Sequence, residues 1–149
     1  MIISASRRTD IPAFYSEWFF NRINEGYVLV PNPYNPNMIS RVSLDPAVID
    51  CVVFWTKNPA PMIERLDRLA AYKYYFQFTL NPYGTELESK LPSLDKRIDT
   101  FKRLADRIGK EKVVWRYDPI LTNEQYTVAF HQDKFAEMAV SLQLSLIHI

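Results

Sequence analysis

Apolar residues in this chain gather into short runs, and three of these runs end alike. "CVVFWTKNP" (51–59), "YYFQFTLNP" (74–82) and "KVVWRYDP" (112–119) each pass from β-branched or aromatic residues into Asn-Pro or Asp-Pro. Such residues suit a pleated strand. Proline cannot continue a central strand and holds the residue before it extended, so each run predicts a strand stopped at a defined place. "IISASRR" (2–8) is a fourth run, read as the first strand.

Between the strands the period changes from two to between three and four. In "LDKRIDTFKRLADRIG", Leu94, Ile98, Phe101, Leu104 and Ile108 form one apolar stripe, with Ser93 as N-cap and Gly109 just past the end. "APMIERLDRLAAY" predicts a helix burying Met62, Ile63, Leu66 and Leu69. "SEWFFNRINEG" predicts one burying Trp18, Phe19 and Ile23 and closed by Gly26, and "TVAFHQDKFAEMAVSL" one burying Phe135, Met138 and Leu142. Residues 27–43 read as a hairpin around a Pro/Asn-rich turn. The order β-α-(hairpin)-β-α-β-α-β-α predicts an α/β fold with a parallel sheet and right-handed crossovers. Four βα units are half of an eightfold barrel of about 250 residues. The expectation is an incomplete, TIM-like (β/α) barrel, with an open doubly wound sheet as the alternative.

Side chains alternate along a strand, so parity sorts the strand ends onto two faces. In "FQFTLN", Gln77, Thr79 and Asn81 share the polar face, and Phe76, Phe78 and Leu80 the helix-facing one. Carried to the other repeats, this parity aims Thr56, Asn58, Arg116 and Asp118 into the same space as Thr79 and Asn81. Ser4, Ser6 and Arg8 join them from the first strand. Binding and catalytic groups of β/α folds gather at the carboxyl ends of the strands. Arg7, Arg8, Lys57 and Arg116 are therefore candidates to hold phosphate or carboxylate groups, arginine through its planar fork. Asp10 and Asp118 are the candidate catalytic carboxylates, as acid, base or orienters of those arginines. Tyr83 and Tyr117 are candidates to stack on a ring. The competing reading of Arg116 and Asp118 is an ion pair that only ties strand ends together. Lys57 shares Trp55's parity, expected to face the helices. Trp18, Trp55 and Trp115 are expected to fill the layer between helices and sheet, and His131 to lie at the surface near a helix cap.

Composition narrows the function classes. The 149 residues are 48% hydrophobic and 23% charged, which is globular. A net charge of +1 gives no global pull toward nucleic acid or anionic membrane. No apolar run approaches the roughly 20 residues of a membrane span, and no signal peptide precedes the first strand, so a cytoplasmic protein is expected. The lone Cys51 lies in an apolar run and reads as a buried thiol. With three glycines in the chain there is no Gly-rich phosphate loop. The ending "LSLIHI" (144–149), His148 included, reads as the translation of a sequencing-library adapter. Residues 1–143 are then the N-terminal part of a longer barrel domain.

The blocks "SASRRTDIPAFYSEWFFNRINEGYVLVPNPYNP", "SRVSL", "VVFWTKNPAPM", "YYFQFTLNPYG" and "VVWRYDPIL" closely resemble, in the same order, bacterial domain-of-unknown-function family 1848. That resemblance implies full-length members of roughly twice this length, in keeping with a half-barrel here. It also implies a cysteine cluster in their C-terminal part, similar to the iron–sulfur motif of radical S-adenosylmethionine enzymes such as the spore photoproduct lyase type. No Cys-x-x-x-Cys-x-x-Cys motif occurs in this chain. The fragment alone is then without cofactor and inactive, while the full-length protein would carry a [4Fe–4S] cluster and S-adenosylmethionine. Three functions remain: the substrate-binding half of such a radical enzyme acting on an anionic substrate, a metal-free β/α enzyme for a phosphorylated or carboxylated small molecule, and a non-catalytic nucleic-acid or protein binding module.

Overall fold

The structure, a computed structural model, describes residues 1–6 and 8–145. Arg7 and residues 146–149 lie outside the described residues, and with them one candidate anion ligand and most of the adapter-like ending. The elements are β1 (Ile2–Ala5), α1 (Ile11–Phe14), α2 (Ser16–Glu25), β2 (Tyr27–Pro31), β3 (Ile39–Ser43), β4 (Cys51–Thr56), α3 (Ala60–Ile63), β5 (Tyr74–Thr79), α4 (Leu94–Ile108), β6 (Val113–Arg116) and α5 (Val128–Leu142). β1, β4, β5 and β6 form a parallel sheet in that order, and β2 and β3 form a separate antiparallel hairpin. The sheet is open, with β1 and β6 at its edges. No described helix is long and apolar enough to cross a membrane.

One apolar core covers one face of this sheet. Ala5, Phe54, Phe76, Phe78 and Val113 point into it. They meet Phe19 and Phe20 of α2, Met62 and Ile63 of α3, Phe101 and Leu104 of α4, and Met138 and Leu142 of α5. Phe54 stacks on Phe76 at 4.8 Å and Phe78 on Phe101 at 5.4 Å, offset arrangements that add to area burial. The strand order never reverses among the described strands, so the switch point of a doubly wound sheet is not seen among them.

Several helix predictions hold in position and change in form. Gly26, at φ +76°, closes α2 by donating to Arg22 and Ile23 carbonyls, a left-handed cap that favours glycine. α2 buries Phe19 and Phe20, while Trp18 stays 44% exposed. Met62, Ile63, Leu66 and Leu69 are all buried, yet 60–72 is not one helix. Bonds spanning three residues tighten it into α3 and a 3₁₀ turn at Leu66–Leu69. Ser93 precedes α4 without a capping side-chain bond.

Candidate functional site

The site is built from the strand ends and the segments that follow them. On the face away from the core, β4 presents Trp55, β5 presents Gln77 and Thr79, and β6 presents Arg116. The register sets Trp55 beside Gln77 and Thr79 beside Arg116. The Arg116 guanidinium lies over the Trp55 ring, 4.4 Å from its centroid, and its Nη2 donates to the Asp118 carboxylate. This pair is part-exposed at the carboxyl end of the sheet. Stacking and a charge-assisted bond together fix the plane of the fork. Nε and Nη1 have no partner among the described residues and remain for an anion.

Other predicted residues are committed to holding the rim together. Asp10 caps α1 through Oδ1, which accepts from the Ala13 N–H at 3.0 Å. Its Oδ2 accepts from the Lys57 N–H at 2.7 Å, stapling the β1–α1 segment to the end of β4. Asn81 is buried and donates to the carbonyls of Asp118 and Pro119, at 2.9 and 3.2 Å. Those two carbonyls can only accept, which fixes the amide's orientation and leaves Oδ1 a buried acceptor without a partner. Lys57 pairs with Glu88, which also takes Arg97 Nη1 at 3.1 Å. Arg8 donates to the Pro31 carbonyl at 2.9 Å, reaching to the hairpin. Ser6, at φ +99°, accepts from the Ile11 N–H at 3.3 Å.

Three expectations fail on register or burial. Thr56 pairs with Phe78, so it points toward the core side and is buried, away from Thr79. Its Oγ1 accepts from the Asn58 N–H, and Asn58 Oδ1 in turn accepts from the Ala60 N–H. Thr56 therefore does not share the Arg116 face, and Asn58 lies past the end of β4, outside its alternation. Trp55 lies instead on the open face and is 37% exposed, while Lys57 follows the last residue of β4. Trp115 alone of the three tryptophans keeps its expected place, half-buried with its ring stacked on Phe135 at 4.9 Å. His131 is buried, not superficial. Its Nε2 lies 2.9 Å from the Leu121 carbonyl, so Nε2 carries the proton and Nδ1 accepts from the Tyr117 hydroxyl at 2.8 Å. Burial pushes the Tyr117 hydroxyl up to about 12.

Tyr83 is no stacking platform either. It donates to the Pro119 carbonyl at 2.7 Å and accepts from the Leu121 N–H at 2.8 Å, inside the same aromatic cluster as His131 and Tyr126. Sequence reasoning missed Arg97, almost fully buried, and Glu88, its partner. Arg97 stands three residues after Leu94 and four before Phe101, squarely on the apolar stripe of α4, and that placement was the available signal.

No curated protein and no solved structure matches the chain. A family model described as a domain of unknown function (DUF1848) matches residues 2–148, nearly the whole sequence, and the chain belongs to that family.

Proposed function

We propose that this chain forms one sector of a β/α-barrel enzyme whose open sheet face and carboxyl rim bind a small anionic substrate. The observation that carries the reading is Arg116, stacked on Trp55, held by Asp118 and flanked by Thr79. An arginine with its plane fixed and donors to spare is suited to a carboxylate or phosphate. The barrel reading draws on strand order that follows the sequence and on helices packed against one face only. A net charge of +1 favours a small anion over salt-sensitive nucleic-acid binding.

Radical S-adenosylmethionine chemistry, implied by the family resemblance, needs a cluster held by cysteine thiolates. The residues of this chain do not fit that group. The one cysteine, Cys51, begins β4 at the end opposite the rim, and no group of His, Cys, Asp or Glu among the described residues could hold a metal. In a radical enzyme this rim would hold substrate, or the cofactor's carboxylate and ribose.

The test is thermal denaturation of wild type and Arg116→Gln with inorganic phosphate, citrate and ribose 5-phosphate at millimolar concentration. At least one should raise the wild-type midpoint, and the variant should lose that rise while keeping its circular dichroism spectrum. Equal stabilisation of both proteins, or of neither, refutes the anion site.

A further inference from the structure

Two adjoining cavities lie between β1, α2 and the hairpin, away from Arg116. The larger, about 540 Å³, takes Ser4, Ser6, Arg8 and Thr9 from the β1–α1 segment and Trp18, Val28 and Val30 from the facing walls. The second, about 370 Å³, shares Ser4, Trp18, Val28 and Val30 with it. It continues along β1 past Ile3 to Phe19 and Leu44, with Arg22 and the N-terminal Met1 also in its lining. The pair thus forms a groove with a polar head and an apolar extension. Each cavity is of the size that takes a small organic ligand.

The head is built rather than incidental. Arg8 is tied to the hairpin through the Pro31 carbonyl, which holds its guanidinium at the cavity wall with N–H groups to spare. Ser6, which lines the cavity, occupies the left-handed region at φ +99°, where glycine is favoured, and its Oγ accepts from the Ile11 N–H. Ser4, Ser6, Thr9 and Tyr15 bring hydroxyls and Arg8 a guanidinium to the larger cavity, and no acidic residue is among the described residues that line either one. Charge complementarity therefore selects an anionic head, and the apolar run along β1 selects an aliphatic body.

We propose that this groove binds a linear aliphatic carboxylate, its head at Ser6, Thr9 and Arg8 and its chain along Trp18, Val28 and Leu44. This site is distinct from that of Arg116. β1 and Arg116's strand are three strand spacings apart, roughly 14 Å.

Calorimetric titration with decanoate, decanol and decylamine, each kept below micelle formation, tests it. Decanoate should bind, and decylamine should bind at least roughly tenfold more weakly, the equivalent of one charge-assisted contact. Arg8→Gln and Ser6→Gly should each weaken decanoate several-fold. Ser6→Gly removes the hydroxyl while giving the backbone its preferred residue, so it should retain the fold. Val30→Phe, which fills the shared wall, should abolish binding, and Arg116→Gln should leave it unchanged. No decanoate binding, equal binding of decanol or decylamine, or indifference to the Ser6 and Val30 changes overturns the proposal. Loss of decanoate binding in Arg116→Gln overturns it as a separate site.

Discussion

Replacing Arg97 by methionine isolates the buried ion pair beneath the rim. Arg97 is 2% exposed, and it donates through Nε to the Pro92 carbonyl at 3.1 Å and through Nη2 to the Tyr83 carbonyl at 3.3 Å. Nη1 donates to Glu88. These bonds hold the 81–92 segment, which follows β5 and carries the second partner of Lys57. Burial pulls the guanidinium's pKa down and the Glu88 carboxylate pulls it back, the mark of a charge that depends on its partner. Methionine keeps the length and apolar stem but strands Glu88 with Lys57 alone. Removing one member of a buried pair costs about 3–5 kcal/mol. Because Lys57 survives as a partner, the lower end applies, about 3 kcal/mol, which for a chain of this size lowers Tm by roughly 6–12 °C. Urea denaturation of Arg97→Met, Glu88→Gln and the double variant measures it. The double variant should recover about 1–3 kcal/mol relative to the sum of the single losses. A loss under about 1 kcal/mol with no coupling, as for a surface pair, would refute the view that this ion pair holds the rim.

Asp10→Asn leaves one acceptor where two backbone N–H groups need one each, so denaturation should show a loss of roughly 1–2 kcal/mol. A carboxylate placed only for catalysis would leave stability unchanged. For Tyr117, the folded value is raised to about 12 from the ordinary value of about 10. The neutral hydroxyl is the form the fold favours, so its contribution is full below about pH 10 and is lost as pH climbs through about 12. In Tyr117→Phe the fall in stability between about pH 10 and 12, the window between the two values, should be shallower than in wild type, by urea titration at each pH. An identical fall in both would remove Tyr117 as its source.

Much of the scaffold was legible because local chemistry decided it. Asn-Pro and Asp-Pro stopped β4, β5 and β6 within three residues of the proline, since the ring forbids continuation whatever the surroundings. Gly26 and Gly109 ended their helices for an equally local reason, a positive φ. The hairpin at 27–43 followed from its turn residues. Asp10 shows the opposite case. Its capping role is local, but its bond to the Lys57 N–H joins residues 47 positions apart, and no spacing rule reaches that far.

The site was less legible, and β4 shows why. "TKNP", "TLNP" and "RYDP" align on their prolines, and that alignment gives Thr56, Thr79 and Arg116 one parity. In the sheet Thr79 does pair with Arg116, but Thr56 pairs with Phe78, one residue earlier. A slip of one residue sends every side chain of a strand to the other face. β5 carries its own check, because Gln77 and Thr79 alternate with Phe76 and Phe78 and only one face can meet the helices. "CVVFWT" is apolar on both parities and carries no such check. The same slip explains both errors on this strand: it turned Thr56 inward, and it put Trp55 on the open face as the ring on which Arg116 rests. A repeat in sequence therefore places a strand end along the rim, and only alternation within each strand tells which side chains reach the site.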